Sequence, residues 1–175
     1  MIKKHNKNLL LSNINYFIVD YIIVIKEFIN IINEAKKYLP DYMTMDIQTE
    51  GEFTSLTVNG KAAHASTPYA GKNAVTALFR VLGALQTTDE TAKFFASLSK
   101  IFVYGEFNGA SLGINAEDAK SGELTFVFSM IDYENGEFTG SFDIRFPICE
   151  SVASVRAKLE NAIGACGLAI GEFRG

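Results

Sequence analysis

At 175 residues the chain is long enough for one domain with a sizeable core, and its 48% hydrophobic and 21% charged content excludes a disordered, collagen-like or disulfide-scaffold protein. A formal net charge of −4 leaves no broad positive field for phosphate backbones, so nucleic acid is not expected as a partner. Cys149 and Cys166 flank a predicted helix and would lie ~25 Å apart at about 1.5 Å per residue, beyond disulfide reach, which implies reduced thiols and a cytoplasmic location.

In chain order, the first segment is Met1 to Ile32, where Lys3, Lys4 and Lys7 precede a run rich in Ile, Phe and Tyr. It imitates a membrane signal, but Asp20, Lys26 and Glu27 interrupt it at about 2.5 to 3.5 kcal/mol each near a bilayer centre, and no small-residue cleavage site follows. No membrane partner is expected. Ile18, Ile22, Ile25, Ile29, Ile32 and Ala35 recur at three and four, the spacing of one helical face packed on protein. Pro40 and Asp41 end that helix. The chain therefore divides into an N-terminal helical extension over residues 1–40 and a domain over residues 41–175.

Phe53 to Val58, bounded by Gly51 and Gly60, predicts a strand. Asn73 to Gln86 predicts a helix with Ala74, Leu78, Val81, Leu82 and Leu85 on its inner face. The less regular stretch Thr87 to Ser121 reads as an insertion, holding a short helix over Thr91 to Ser99 and a glycine-punctuated run from Gly105 to Gly109. Glu123 to Tyr133 and Glu137 to Phe146 predict two strands joined by Asn135-Gly136, the dipeptide that best tolerates a tight hairpin turn. Leu124, Phe126, Phe128 and Met130 should share one face, with Phe142, Ile144 and Phe146 among their partners. Pro147 stops the second strand, and Val152, Val155, Leu159, Ala162, Ile163 and Cys166 mark a helix ending near Gly167. A last strand over Leu168 to Phe173 completes the order strand, helix, strand, strand, helix, strand. That order predicts an α+β, ferredoxin-like fold: an antiparallel sheet with two helices on one face, plus the extra N-terminal helix and the insertion after the first core helix.

Imidazole can come only from His5 and His64, and neither lies in a His-x-x-x-His or Cys-x-x-Cys pattern, so no metal site is expected within this chain. His64 sits in Val58-Asn59-Gly60-Lys61-Ala62-Ala63-His64-Ala65-Ser66-Thr67-Pro68, a strand running into a small-residue turn. Small neighbours let a ligand or another domain come close, and an imidazole there can donate a hydrogen bond or titrate. The residues alone favour the plainer reading, a loop histidine bonded to its own neighbours. With both nitrogens to satisfy and only alanines beside it, its ring should sit at the surface.

The run Gly60 to Pro68, followed by Gly71-x-Asn73-Ala74 opening an apolar helix, resembles the lid, or dimerisation, domain of the zinc exopeptidases that include aminoacylases, carboxypeptidase G and bacterial Xaa-His dipeptidases. Gly105-Glu106, Leu112-Gly113-Ile114, Asp118, Ser121-Gly122-Glu123-Leu124-Thr125 and Asp143-Ile144-Arg145-Phe146-Pro147 resemble, in order, the dipeptidase branch. The similarity runs from about Tyr38 to the C-terminus. It implies that His64 reaches into the active site of the parent enzyme to steady an oxyanion, and that Arg145 holds the carboxylate of a dipeptide substrate. A planar guanidinium suits that task, although Arg145 read by itself is a surface residue paired with Asp143 or Glu150.

The family's His-x-Asp motif, bridging aspartate and Glu-Glu pair are missing from the sequence, so the resemblance assigns zinc to a catalytic domain that is not in this chain. That domain, a dipeptide and a second copy of the chain are the partners it implies. The chain alone is expected to be inactive. Phe126-Val127-Phe128 stands where the dipeptidases place a polar residue, and Met1 to Phe28 matches nothing in the family. The chain is therefore expected to be a fragment, or the product of a truncated or frame-disturbed gene. The competing functions are a substrate-capping lid, a non-enzymatic self-association module and, by fold analogy alone, a small-molecule sensor.

Overall fold

The computed structural model describes residues 36–39, 43–50, 53–84, 90–134 and 137–173. The predicted N-terminal helix up to Ala35, its Pro40-Asp41 boundary and the Asn135-Gly136 turn lie outside them. Helices and antiparallel strand pairs mix in an α+β arrangement. Among the described residues no helix is long and apolar enough to cross a membrane.

Strand β1 (Thr44–Glu50) pairs antiparallel with β2 (Phe53–Asn59), with Met45 opposite Val58 and Ile47 opposite Leu56. β1 is absent from the sequence expectation, yet its signal is present. Met43 and Met45 are buried while Thr44, Asp46 and Gln48 are exposed, the period of two that marks a half-buried strand. Asn59 ties the two strands again at their ends, donating to the Thr44 hydroxyl at 3.0 Å and the Asp46 carboxylate at 3.1 Å.

Helix α1 (Ala74–Gly83) is buried along its length except at Arg80 and Gly83. A helix apolar around nearly its whole circumference belongs in the interior. Helix α2 (Glu90–Ile101) lies against it, and Phe95, Leu98 and the following Phe102 are buried in the same core. The stretch expected to be an insertion thus supplies part of the core. Phe79 of α1 is the centre of an aromatic cluster, edge-on to Phe128 at 5.4 Å and tilted against Phe95 and Phe102 at 5.9 and 6.1 Å.

The hairpin forms where it is expected, from β5 (Thr125–Glu134) and β6 (Glu137–Arg145), after the short pair β3 (Glu117–Asp118) and β4 (Gly122–Glu123). Phe126 faces Ile144 and Phe128 faces Phe142. The expected apolar face of β5 holds at Leu124, Phe126 and Phe128 but fails at Met130, which is 47% exposed, while Ile131 is buried. The reason is a bulge between Phe128 and Met130. One extra residue, Ser129, shifts the alternation by one place, so every later side chain changes face. The Ser129 hydroxyl donates to the Ser141 carbonyl at 3.0 Å across the bulge.

Helix α3 (Val152–Gly164) starts at Ser151, whose hydroxyl accepts the Ser154 N–H at 3.1 Å. Val155, Leu159 and Ile163 form its inner stripe, whereas Val152, expected on that stripe, is 40% exposed. As the first helical residue, Val152 lies a turn before the core begins. α3 packs on the single turn Ala110–Leu112.

Two details of the ferredoxin-like expectation are not met among the described residues. The strands form three separate two-stranded sheets instead of one four-stranded sheet: β2 pairs with β1, and not with β6 as the expected order has it. Leu168 to Phe173 forms no strand; Leu168, Ile170 and Phe173 are half-buried against the core without pairing to a strand among the described residues. Apolar alternation alone cannot distinguish a strand from an extended segment that packs by side chains.

Asn73 joins these parts. Its side-chain oxygen accepts the Thr76 N–H at 3.1 Å, capping α1, and its amide donates to the Phe128 carbonyl at 2.7 Å, at the edge of the bulge. Asn73→Ala should lower the unfolding free energy by about 2 kcal/mol, roughly one for the cap and one for the bond to Phe128. Asn73→Ser, too short to reach Phe128, should recover about half in chemical denaturation. Full recovery would show that the bond to the hairpin contributes nothing.

Candidate functional site

The loop carrying His64 begins where β2 ends and closes where α1 begins. Lys61 and Lys72 exchange both backbone hydrogen bonds, Lys61 N–H to Lys72 carbonyl at 2.9 Å and Lys72 N–H to Lys61 carbonyl at 2.8 Å. The two glycines of the motif make this approach feasible. A Cβ on Gly60 would meet the Lys72 carbonyl at 2.4 Å, and one on Gly71 would meet the Ala63 methyl at 2.7 Å and the Lys61 carbonyl at 2.8 Å. Within the closed loop a tight turn bonds Thr67 N–H to the His64 carbonyl at 2.9 Å, and buried Pro68 opens a single helical turn through Ala70. Proline at a first helical position has the required φ and no N–H to lose.

His64 is exposed at the tip of this loop. Its Nδ1 lies 2.7 Å from the Ser66 hydroxyl and 3.3 Å from the Ser66 backbone nitrogen, whose N–H points at it. No described residue makes a hydrogen bond to its Nε2. Ser66 belongs to the motif but was assigned no role from the sequence. Its spacing of two from the histidine is the available signal, because side chains so placed in a turn readily bond local backbone and neighbours.

Arg145 is exposed at the end of β6, with its Nε 3.6 Å from Asp143 Oδ1 and both side chains about half accessible. An ion pair so long and so wet contributes little and leaves the guanidinium available. Of the two acidic neighbours considered from the sequence, Asp143 is the partner. Glu150 is taken by Lys158 at 2.5 Å, whose ammonium holds the carboxyl below its ordinary value. Among the described residues no hydrogen bond or ion pair joins His64 to Arg145.

The other motifs assemble beside β5 and β6. Phe126 N–H donates to the Phe107 carbonyl at 2.7 Å and Leu124 N–H to the Ala116 carbonyl at 2.8 Å. The Glu106 carboxylate accepts the Ser111 N–H at 2.8 Å and its hydroxyl at 2.7 Å. The Ser121 hydroxyl donates to Asp118 at 2.5 Å and accepts the Ile148 N–H at 2.9 Å, which fastens the chain just beyond Arg145. A cleft of about 350 Å³ lies between the His64 loop and β5, lined by Ala62, Pro68, Asn73, Phe107, Phe128 and Met130 among others. Neither His64 nor Arg145 lines it.

Among the described residues no group of three or more His, Cys, Asp or Glu side chains is placed to hold a metal ion. These residues therefore do not fit the zinc centre that the resemblance implies for the parent enzyme. Both cysteines are free, Cys149 exposed and Cys166 half-buried.

The Asp118 clamp has a pH signature. The Ser121 hydroxyl, then the Ser121 and Lys120 N–H groups, stabilise the charged carboxylate and lower its pKa from 3.8 to about 2. Its stabilising effect is complete above the ordinary carboxylate pKa and is lost as the pH falls toward 2. A carbon-detected NMR titration should place the Asp118 midpoint near 2, and Ser121→Ala should raise it. A wild-type midpoint at the ordinary value would mean that the clamp does not form.

The sequence is similar to known peptidases. A Beta-Ala-Xaa dipeptidase of Lactobacillus delbrueckii subsp. lactis is 30% identical over 121 residues, covering 65% of this chain and 26% of the relative. A protein of Staphylococcus aureus (strain MRSA252), provisionally named a dipeptidase, is 28% identical over 129 residues, covering 72% of this chain and 27% of the relative. The chain thus spans about a quarter of the length of these relatives. Residues 53–167, well over half of the chain, match the model of the M20 peptidase dimerisation domain, and the chain belongs to that family.

Proposed function

We propose that this domain works as the lid of a dipeptidase, covering a catalytic domain that carries zinc, with His64 as the donor to the oxyanion and Arg145 as the ligand of the substrate carboxylate. The observation that carries the reading is the mounting of His64. Its ring is exposed on a loop held by the Lys61–Lys72 bonds, with small residues around it that let another surface approach. A donor fixed in advance at the place where negative charge develops is worth about 3 to 4 kcal/mol of barrier, because no reorganisation is needed when the charge appears. Arg145 supports the reading more weakly, through its exposure and its loose pairing with Asp143.

The dipeptidase names of the relatives favour a dipeptide over a longer peptide as substrate. A lid that bonds a terminal carboxylate and an oxyanion at once is also suited to short substrates. A second reading, self-association, draws on the family's description as a dimerisation domain and on β6, which has a strand neighbour on only one side among the described residues. The two readings are compatible, since a lid can also be the contact between subunits.

In a full-length protein that joins this domain to a catalytic domain, His64→Ala should lower kcat about a hundredfold or more and leave the zinc content unchanged. Arg145→Ala should mainly raise KM, by about tenfold, since a carboxylate contact acts on ground state and transition state alike. An unchanged kcat in the first variant removes the oxyanion role. For self-association, sedimentation of the purified chain should show a concentration-dependent dimer, and a monomer at every concentration would exclude that reading.

A further inference from the structure

We infer that Ser66 is a positioning residue that sets which nitrogen of His64 carries the proton. The inference rests on the lid reading for its use in catalysis, but the tautomer itself is a property of this chain. A backbone N–H can only donate. Because the Ser66 N–H points at Nδ1 from 3.3 Å, that nitrogen must present a lone pair, and a proton on it would collide with the amide hydrogen. The Ser66 hydroxyl, 2.7 Å from the same atom, is free to rotate and therefore donates as well. One residue thus offers two donors to one lone pair, and the neutral ring carries its proton on Nε2.

Nε2 is the nitrogen to which no described residue makes a hydrogen bond. The side of the ring turned away from Ser66 is accordingly an N–H donor, which takes an oxygen acceptor such as a polarised carbonyl or an oxyanion. It offers no lone pair there to a metal ion or to a proton on a nucleophile. The turn that bonds Thr67 N–H to the His64 carbonyl holds Ser66 in place, so ring orientation and protonation pattern come from the same four residues. Carboxylates or carbonyls that orient a histidine usually accept from it; here a serine donates to it, and the tautomer is the opposite one.

The test uses the full chain with nitrogen-15 in its histidine rings, in a His5→Gln background so that one ring is observed. Long-range proton–nitrogen NMR of the neutral ring should show the proton on Nε2 and a hydrogen-bonded lone pair on Nδ1. Ser66→Ala should shift the tautomer ratio toward the Nδ1–H form by about fivefold, the ratio that one hydrogen bond of ordinary net strength supports, and Ser66→Thr should restore it. Unmoved amide resonances elsewhere will show that the variants are folded. An Nδ1–H ring in the parent chain, or a ratio that Ser66→Ala leaves unchanged, overturns the inference. This outcome is independent of kcat: a locked tautomer with no effect of His64→Ala on turnover would retain the role of Ser66 and remove the oxyanion reading instead.

Discussion

The pair of backbone hydrogen bonds between Lys61 and Lys72 is the constraint on which the site depends. It turns a long connection between β2 and α1 into a closed loop whose two ends are fixed to core elements. Gly60 and Gly71 are needed because the two strands of backbone pass within the space a methyl group would fill. The alanines and the histidine then occupy a loop with few conformations left. The ordering cost that a binding event would otherwise meet is already met when the domain folds.

Beneath the loop, the anchor is unusually apolar. α1 has no polar face turned outward apart from Arg80, and Phe79 ties it through Phe128 to the hairpin and through Phe95 and Phe102 to α2. Phe142 of β6 continues the cluster, tilted against Phe126 and edge-on to Phe128 of β5. The aromatic residues in Phe126-Val127-Phe128, out of place in the sequence comparison with dipeptidases, are therefore explained by packing. Phe126 and Phe128 are buried against Phe102 at ring distances of 5.9 and 4.7 Å.

Much of this organisation was legible in the sequence, for identifiable reasons. The hairpin was readable because alternation and Asn135-Gly136 agree, and α1 because an asparagine precedes a run that is apolar except at Thr76 and Arg80. The motif around His64 was readable by resemblance, and so was the family. What could not be read were effects of a single residue or of distant pairing. Nothing in Phe128-Ser129-Met130 announces a bulge, since the run alternates correctly as written. The hydrophobic pattern of Thr87 to Ser121 says that it contains a helix but not that Phe95, Leu98 and Phe102 reach the core. β2 pairs with β1, whose Met-x-Met-x-Ile alternation is a strand signal too short to name its partner. At the site, Arg145 and Asp143 stand two apart on one strand, so their pairing is written in the sequence, whereas the bonds from Ser121 to Asp118 and Ile148 needed the fold.

The double use of Asn73 has a kinetic consequence. One side chain caps α1 and holds the hairpin at Phe128, while the residue before it, Lys72, closes the loop of His64. Loop end, helix start and hairpin edge are thereby coupled into one body. Free surface loops move in nanoseconds to microseconds, but a histidine mounted in this way cannot reach toward a partner by such motion. It travels with the domain as a whole, on the microsecond-to-millisecond scale of collective displacements, so under the lid proposal its approach to a substrate is timed by the domain and not by the loop.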